Sequence, residues 1–377
     1  MTRGRTSLGS LVRFAVCGLL LLWIFHRIFS NEAQLTLALS GTDWSQLTPW
    51  EQRKLSWTVG PQRLIQMSRR LDPATMVLAL AQCGALVFIG GLRWRYVMKV
   101  QGLSLSIRET TRISFVAHFF NAFLLGSTGG DVLKAWYAAR TTHHKKAEAV
   151  VSVFVDRLMG IFALLVFAVA LVPFNYSLIE SYARYQGVSI VIVAMMLGVG
   201  GLVWIGFYSE ALAHGGKIAK VFRRLPKGEI LARALTSCRL FGKHRGFFPV
   251  VMGWSVLVNL LIVMTFGTIS RELGLDVGWQ TLWMVVPMVV CLAALPITPS
   301  GLGVRENLLV LLLTVPAFTV KHGEALSLSL LAYLANLVWS VVGGVVYLTL
   351  PDRQALVGAE PNSGVEPSES GQSERAG

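Results

Sequence analysis

The stretch Asn121-Ala-Phe-Leu-Leu-Gly-Ser-Thr-Gly-Gly-Asp-Val-Leu-Lys-Ala-Trp-Tyr137 begins as apolar helix, breaks at Gly126 to Gly130, and resumes as helix carrying Asp131 and Lys134. Between polar neighbours this would be an ordinary loop before a capped helix. Apolar segments lie on both sides, so the break falls at membrane depth. Irregular backbone is tolerated there only when it is buried in protein or lines a wet cavity. A second stretch, Pro296-Ile-Thr-Pro-Ser-Gly-Leu-Gly-Val-Arg-Glu-Asn307, repeats the pattern about 175 residues later.

Composition agrees with a membrane setting. Of 377 residues, 54% are hydrophobic and 14% charged, against about 25% charged in an average globular domain. Several continuous apolar runs near 20 residues mark helical spans. Alternation of the β-barrel kind is missing from them. The expected class is therefore an all-α, polytopic helical membrane bundle of about six full spans plus two broken helical hairpins. The net charge of +14 does not point to nucleic acid, because its basic residues sit mainly in loops that orient the chain and meet anionic lipid. Cys17, Cys83, Cys238 and Cys291 are scattered and suggest neither a metal site nor a disulfide framework.

Taken in order, the spans are expected at about 11–29, 74–92, 149–172, 187–207, 248–269 and 326–350. The hairpins fall at about 113–139 and 280–315, each either a half-depth hairpin or two full spans. Residues 30–73 form a polar connection, either an interfacial amphipathic helix after Pro61 or a solvated loop with one short helix. Arg93-Trp-Arg-Tyr96 reads as an aromatic and basic interface anchor closing the second span. The tail from Asp352, rich in Gly, Ser, Pro and Glu, reads as disordered.

Basic residues set the topology. Segments 93–112, 140–148 and 208–247 carry five, three and nine Lys or Arg, while 173–186, 270–279 and 316–325 carry one each. Putting the first group in the cytoplasm satisfies the positive-inside bias, provided each broken segment emerges on the side it entered. Both termini are then cytoplasmic, in what is expected to be a bacterial cytoplasmic membrane. The domains follow: 1–73 as first span and connection, 74–350 as the transmembrane domain, and 351–377 as the tail. Units 74–172 and 248–350, joined by connector 173–247, have similar element order and opposite direction. Such an inverted repeat, with Gly or Pro breaks at matching positions, points to a transporter's binding site.

Candidate site residues lie at the breaks. Thr128-Gly-Gly-Asp131 has capping-box spacing, and a helix start exposes N–H groups that attract anions. Ser127, Thr128, Gly129 and Gly130 in one hairpin and Ser300, Gly301 and Gly303 in the other would supply such backbone. Lys134, Arg157 and Arg305 would supply cations to one phosphate group. Asp131, Asp156 and Glu306 would couple movement to protons or pair with those cations. The plainer alternative is that Asp131 caps its helix and neutralises Lys134 at i+3, with Glu306 serving a neighbouring cation. Asp156 and Arg157 are adjacent, project roughly 100° apart, and need partners elsewhere in the bundle. Asn259 and Asn336 read as helix-contact residues, Asn121 is a polar helix residue that could serve the same way, and His118 reads as a packing or hydrogen-bonding residue, with a proton relay as its alternative. No zinc-protease, P-loop or serine-hydrolase spacing occurs, and no cofactor or metal is expected.

These stretches, with Val155-Asp-Arg-Leu-Met-Gly160 between them, resemble a flippase-like family related to the transmembrane region of lysylphosphatidylglycerol synthases. The resemblance covers about residues 74–350. It implies movement of a lipid, often one with a phosphate headgroup, between leaflets, with membrane lipids as the partners. Positions matching the family motifs are Gly126, Gly129, Gly130, Asp131, Lys134, Asp156, Arg157, Gly301, Gly303, Arg305 and Glu306. Lys134 stands where the family often has Arg, keeping the charge but not the bidentate fork. No soluble domain follows residue 350, so aminoacyl transfer is not carried over. The competing expectations are an intramembrane enzyme acting on a lipid phosphate or glycolipid, and a scaffold subunit of a lipid-modifying complex.

Overall fold

The computed structural model describes residues 19, 22–23, 25–30, 32–34, 36–37, 41, 43–69, 72–122, 129–141, 146–208, 237–295, 301 and 303–349. All regular structure among them is helical: α1 Pro49–Ser68, α2 Pro73–Val100, α3 Ile107–Asn121, α4 Gly129–Thr141, α5 Lys146–Leu171, α6 Ala183–Tyr208, α7 Phe247–Glu272, α8 Trp279–Ala293, α9 Val304–Leu313 and α10 His322–Thr349, with short helical turns between some of them. The protein is thus a polytopic helical membrane bundle. Helices α2, α5, α6, α7 and α10 are long and apolar enough to cross a membrane. The expected first span at 11–29 and the tail lie largely or wholly outside the described residues, as do most of the basic connector and the break residues Gly126, Ser127, Thr128 and Ser300.

Local chemistry sets the helix starts. Asp72 caps α2 by accepting from Ala74 N at 3.0 Å, with Pro73 in the first helical position, where a missing N–H costs nothing. At α3, Ser106 and Glu109 form a reciprocal capping box. The polar connection resolves into one 20-residue helix, α1, which begins twelve residues before Pro61 and runs through it. Trp50, Trp57 and Ile65 remain exposed on α1. Trp57 also meets Phe29 edge to face at 5.1 Å and stacks on His26, so the middle of α1 docks on the N-terminal helical residues.

The arms of the broken segments are short: 15 and 13 residues in α3 and α4, 15 and 10 in α8 and α9. At 1.5 Å per residue they reach about 15–23 Å, short of a hydrocarbon core of about 30 Å. Over the described residues, then, each arm is shorter than a full span.

The order long, short, short, long occurs twice, as α2-α3-α4-α5 and α7-α8-α9-α10. Packing follows the same correspondence. Helix α2 lies against α7. The first hairpin's α3 packs on α10 of the other unit, and α8 packs on α5 in return. Hydrogen bonds give the direction of the central pair. Glu272 accepts from Asp72 N at 2.9 Å and Thr75 Oγ1 at 3.0 Å, Gln82 Nε2 donates to Thr268 Oγ1 at 3.2 Å, and Tyr96 Oη donates to the Gly246 carbonyl at 3.3 Å. One number rises as the other falls, so the leading helices of the two units run antiparallel. This is the arrangement an inverted repeat produces.

Candidate functional site

Helix α5 carries the adjacent pair Asp156 and Arg157 into the bundle, and each finds its partner on another element. Asp156 Oδ1 accepts from Arg93 Nε at 2.8 Å, and its Oδ2 lies 4.0 Å from Lys134 Nζ. Arg157 Nη1 donates to Asp131 Oδ2 at 3.1 Å. Two ion-pair links therefore tie α4 to α5, and one of them extends to α2. Arg93 also donates through Nη1 to Ser255 Oγ on α7 at 2.9 Å, which joins α2, α5 and α7 through one guanidinium. Lys134 sits over the Trp94 ring, 5.0 Å from its centroid. The i+3 neighbours Asp131 and Lys134 thus each have an ion-pair contact on α5.

The second hairpin contributes Arg305 from the first turn of α9. Its Nη2 donates to Glu306 Oε1 at 2.9 Å, its Nε to Ser329 Oγ at 3.3 Å, and the guanidinium lies over Tyr333 at 4.7 Å. Glu306, only 2% exposed, accepts from Gly303 N at 2.6 Å with its other oxygen. Gly301 and Gly303 have φ of +71° and +84°, a left-handed conformation that glycine adopts without a Cβ penalty.

Both helix starts are already capped by side chains. Gly130 N donates to Asn121 Oδ1 at 2.8 Å, Gly303 N is held by Glu306, and Arg305 N bonds the Gly301 carbonyl at 3.0 Å. These three N–H groups are committed within the protein, while Ser127, Thr128 and Ser300 lie outside the described residues.

The two hairpins meet at a cavity of about 390 Å³. Its lining includes the charged Arg93, Asp131, Lys134, Asp156, Arg157 and Arg305 and the aliphatic Ile161, Leu164, Val258, Ile262, Val290, Ala293 and Ala294. Lys134 and Arg305, one from each hairpin, line the same space. Four cations face two carboxylates there, with Glu306 immediately behind Arg305. The lining is amphiphilic and carries an excess of positive charge.

Arg93 and Ser255 are parts of this wall that the sequence reading misses, and Asn259, read as a helix contact, is a third. The interface-anchor reading of Arg93–Tyr96 is corrected by the structure. Trp94 is fully buried and donates to Ser152 Oγ at 3.3 Å, while Arg95 Nε donates to the Leu105 carbonyl at 2.9 Å. The available signal was the absence of any Gly or Pro between Leu92 and Val100. Nothing ends the helix at Arg93, so that residue stays within the bundle. Asp156 also needed a cation that its own helix could not supply. His118 stays outside the cavity lining, with Nε2 3.4 Å from the Asn336 carbonyl oxygen.

Fold and cavity together define an integral membrane protein with a charged cavity lined by both broken hairpins and by α2, α5 and α7. The profile of the lysylphosphatidylglycerol synthase TM region matches residues 54–344, and the chain belongs to that family. Relatives include a UPF0104 membrane protein of Methanocaldococcus jannaschii, 22% identical over 316 residues, covering 78% of this chain and 90% of that protein. A UPF0104 membrane protein of Pyrococcus horikoshii is 24% identical over 324 residues, covering 80% of this chain and 94% of its own.

Proposed function

We propose that this protein is a lipid translocase that works without ATP, moving a phosphate-bearing lipid between leaflets. The observation that carries the reading is the mixed lining of the cavity: four cations suit a phosphate, and seven aliphatic residues suit the start of a hydrocarbon chain. A soluble anion would have no use for the second surface. Intramembrane charge is itself expensive and marks substrate paths. The family match to a synthase's TM region supports a lipid-handling role and gives no sign of catalysis by this part.

In this mechanism Asp131 and Asp156 hold the cations while the chamber is empty of lipid. The Lys134–Asp156 contact, at 4.0 Å, is the loosest pair and the first to exchange its carboxylate for an incoming phosphate. Arg305 closes on the same group from the opposite hairpin. The tails remain in the bilayer while the two antiparallel units open the chamber to one leaflet and then the other. The basic loops keep the first hairpin's connections on the cytoplasmic side.

Lys134→Gln and Arg305→Gln test this reading in proteoliposomes with a head-labelled phospholipid. Each variant keeps a hydrogen-bond donor and loses one charge, and because Arg305→Gln takes the ion-pair partner from buried Glu306, exchange is compared per amount of folded protein. Leaflet exchange is expected to fall at least tenfold in each, a loss of about 1.4 kcal/mol or more. Wild-type exchange rates in both variants would sink the headgroup role. Mass analysis of the recovered lipid separates translocation, which leaves it intact, from an enzymatic reaction.

A further inference from the structure

The helical residues that precede α1 are packed between that helix and the bundle. Ile28, Phe29 and Ala33 are buried, the first two in the main apolar core. A Cβ at Gly60 of α1 would come within 2.6 Å of Phe29, and Ser56 Oγ donates to Ser30 Oγ at 3.1 Å. Glu32 follows Phe29 by three residues in this enclosed segment. It is 2% exposed, and its Oε1 has no hydrogen-bond partner among the described residues. An unpaired carboxylate is costly in such a place, whereas the neutral acid is tolerated. Two charged groups act on it: Arg63 of α1 attracts the carboxylate, and Glu306 of α9 repels it. Residue 32 lies beyond the expected first span, in the connection that contains α1. Burial chiefly, opposed by Arg63 and reinforced by Glu306, pushes its carboxyl up to about 7.

Glu306 ties this group to the cavity. Its Oε1 accepts from Arg305 Nη2 at 2.9 Å, and Arg305 lines the cavity. While that pair holds, Arg305 offsets the charge that Glu306 presents to Glu32. An anion that draws Arg305 to itself leaves Glu306 uncompensated, and two carboxylates that act on each other retain a proton. We propose that Glu32 binds a proton when an anionic lipid headgroup takes Arg305 from Glu306, so that lipid and proton bind together. The linkage is reciprocal: a proton on Glu32 strengthens headgroup binding by the factor by which the headgroup strengthens proton binding. One proton entering with one monoanionic headgroup leaves the net charge of the site unchanged. Arg63, partly exposed on α1, marks the side from which the proton arrives. The proposal rests on the headgroup reading of Arg305 and gives the translocase a coupling ion.

The experiment measures binding of phosphatidylglycerol, a phosphodiester whose own charge is constant near neutral pH, to purified wild-type protein and Glu32→Gln. Binding is compared at about pH 6 and about pH 8, either side of the Glu32 value. Wild type is expected to bind about fivefold or more tightly at the lower pH and to take up protons on binding in weakly buffered solution. Glu32→Gln, neutral at both pH values, is expected to bind equally at both and to lose the proton uptake. Arg63→Gln removes the attraction on the carboxylate and should move the midpoint of the pH dependence upward. A carboxyl raised on folding stabilises fully below its ordinary value of 4.5 and loses that contribution as pH rises through about 7. Glu32→Gln should therefore melt no lower than wild type at about pH 8. Should it fail to fold, Arg63→Gln carries the test, and an unmoved midpoint there overturns the proposal. Equal binding by wild type at both pH values, or a pH dependence that survives Glu32→Gln, would also overturn it. Leaflet exchange measured in parallel separates the two readings. Proton-linked binding without exchange removes the translocase reading alone, exchange with pH-independent binding removes the role of Glu32 alone, and no binding at either pH removes both.

Discussion

Arg93→Ala is expected to lower the unfolding free energy by about 3–5 kcal/mol, the scale seen when one member of a buried ion pair is removed. Arg93 and Asp156 have side chains 12% and 8% exposed. Truncating Arg93 leaves Asp156 facing Lys134 at 4.0 Å as its remaining ion-pair partner and removes the guanidinium donor from Ser255. Three helices lose their common tie. A Cβ at Gly160 would approach Arg93 Nη1 to 3.0 Å, so the guanidinium is also closely packed against α5, and its removal opens a void there. Thermal unfolding of the detergent-solubilised protein checks this. Adding Asp156→Asn should recover part of the loss, because the cost comes from an uncompensated buried charge more than from the missing bond. A single variant that melts with wild type, or a double variant no better than Arg93→Ala, would contradict this account.

The sequence makes the spans and the hairpin breaks legible for different reasons. An apolar run near 20 residues has few alternatives to a membrane helix, so α2, α5, α6, α7 and α10 are visible from hydropathy alone. The breaks are visible because Gly126–Gly130 and Pro296–Gly303 interrupt apolar segments that would otherwise continue. Element order and the basic-loop bias are enough to propose an inverted pair, and the hydrogen bonds between α2 and α7 supply its direction. Helix ends are less legible. A cationic residue at the edge of an apolar run reads as an interface anchor, and only a partner from another helix, here Asp156, turns it into a bundle residue. Partner choice is likewise a tertiary property. Spacing offers Asp131 the cation at i+3, yet the fold gives it Arg157. Asn259 has no signal of its own, since an asparagine between Val258 and Leu260 looks the same whether it bonds a neighbouring helix or faces a chamber.

Gly130→Ala is expected to disable the site by separating the arms of the first hairpin. A methyl group on Gly130 would collide with the backbone carbonyl of Ala117 on α3 and come within 2.8 Å of Asn121 Cγ. Backbone on one side and a capping side chain on the other leave no flexible atom to give way. Overpacking of this kind costs about 1–3 kcal/mol or more, and the Gly130–Asn121 hydrogen bond is strained with it. A Cβ at Gly343 would meet the Phe115 carbonyl in a similar clash, so α3 is held between α4 and α10 by two close approaches that only glycine permits. Small residues at such contacts let helix backbones approach within a membrane. Lys134 follows Gly130 by about one turn, so a displaced α4 carries the cation away from Arg305 and breaks the proposed two-sided grip on a phosphate. Leaflet exchange should therefore fall at least tenfold even at temperatures where the variant remains folded. Gly90→Ala is the control: a Cβ there meets nothing within 4 Å, and exchange should match wild type. Equal exchange in the two variants would mean that the approach of α4 to α3 does not set the position of Lys134.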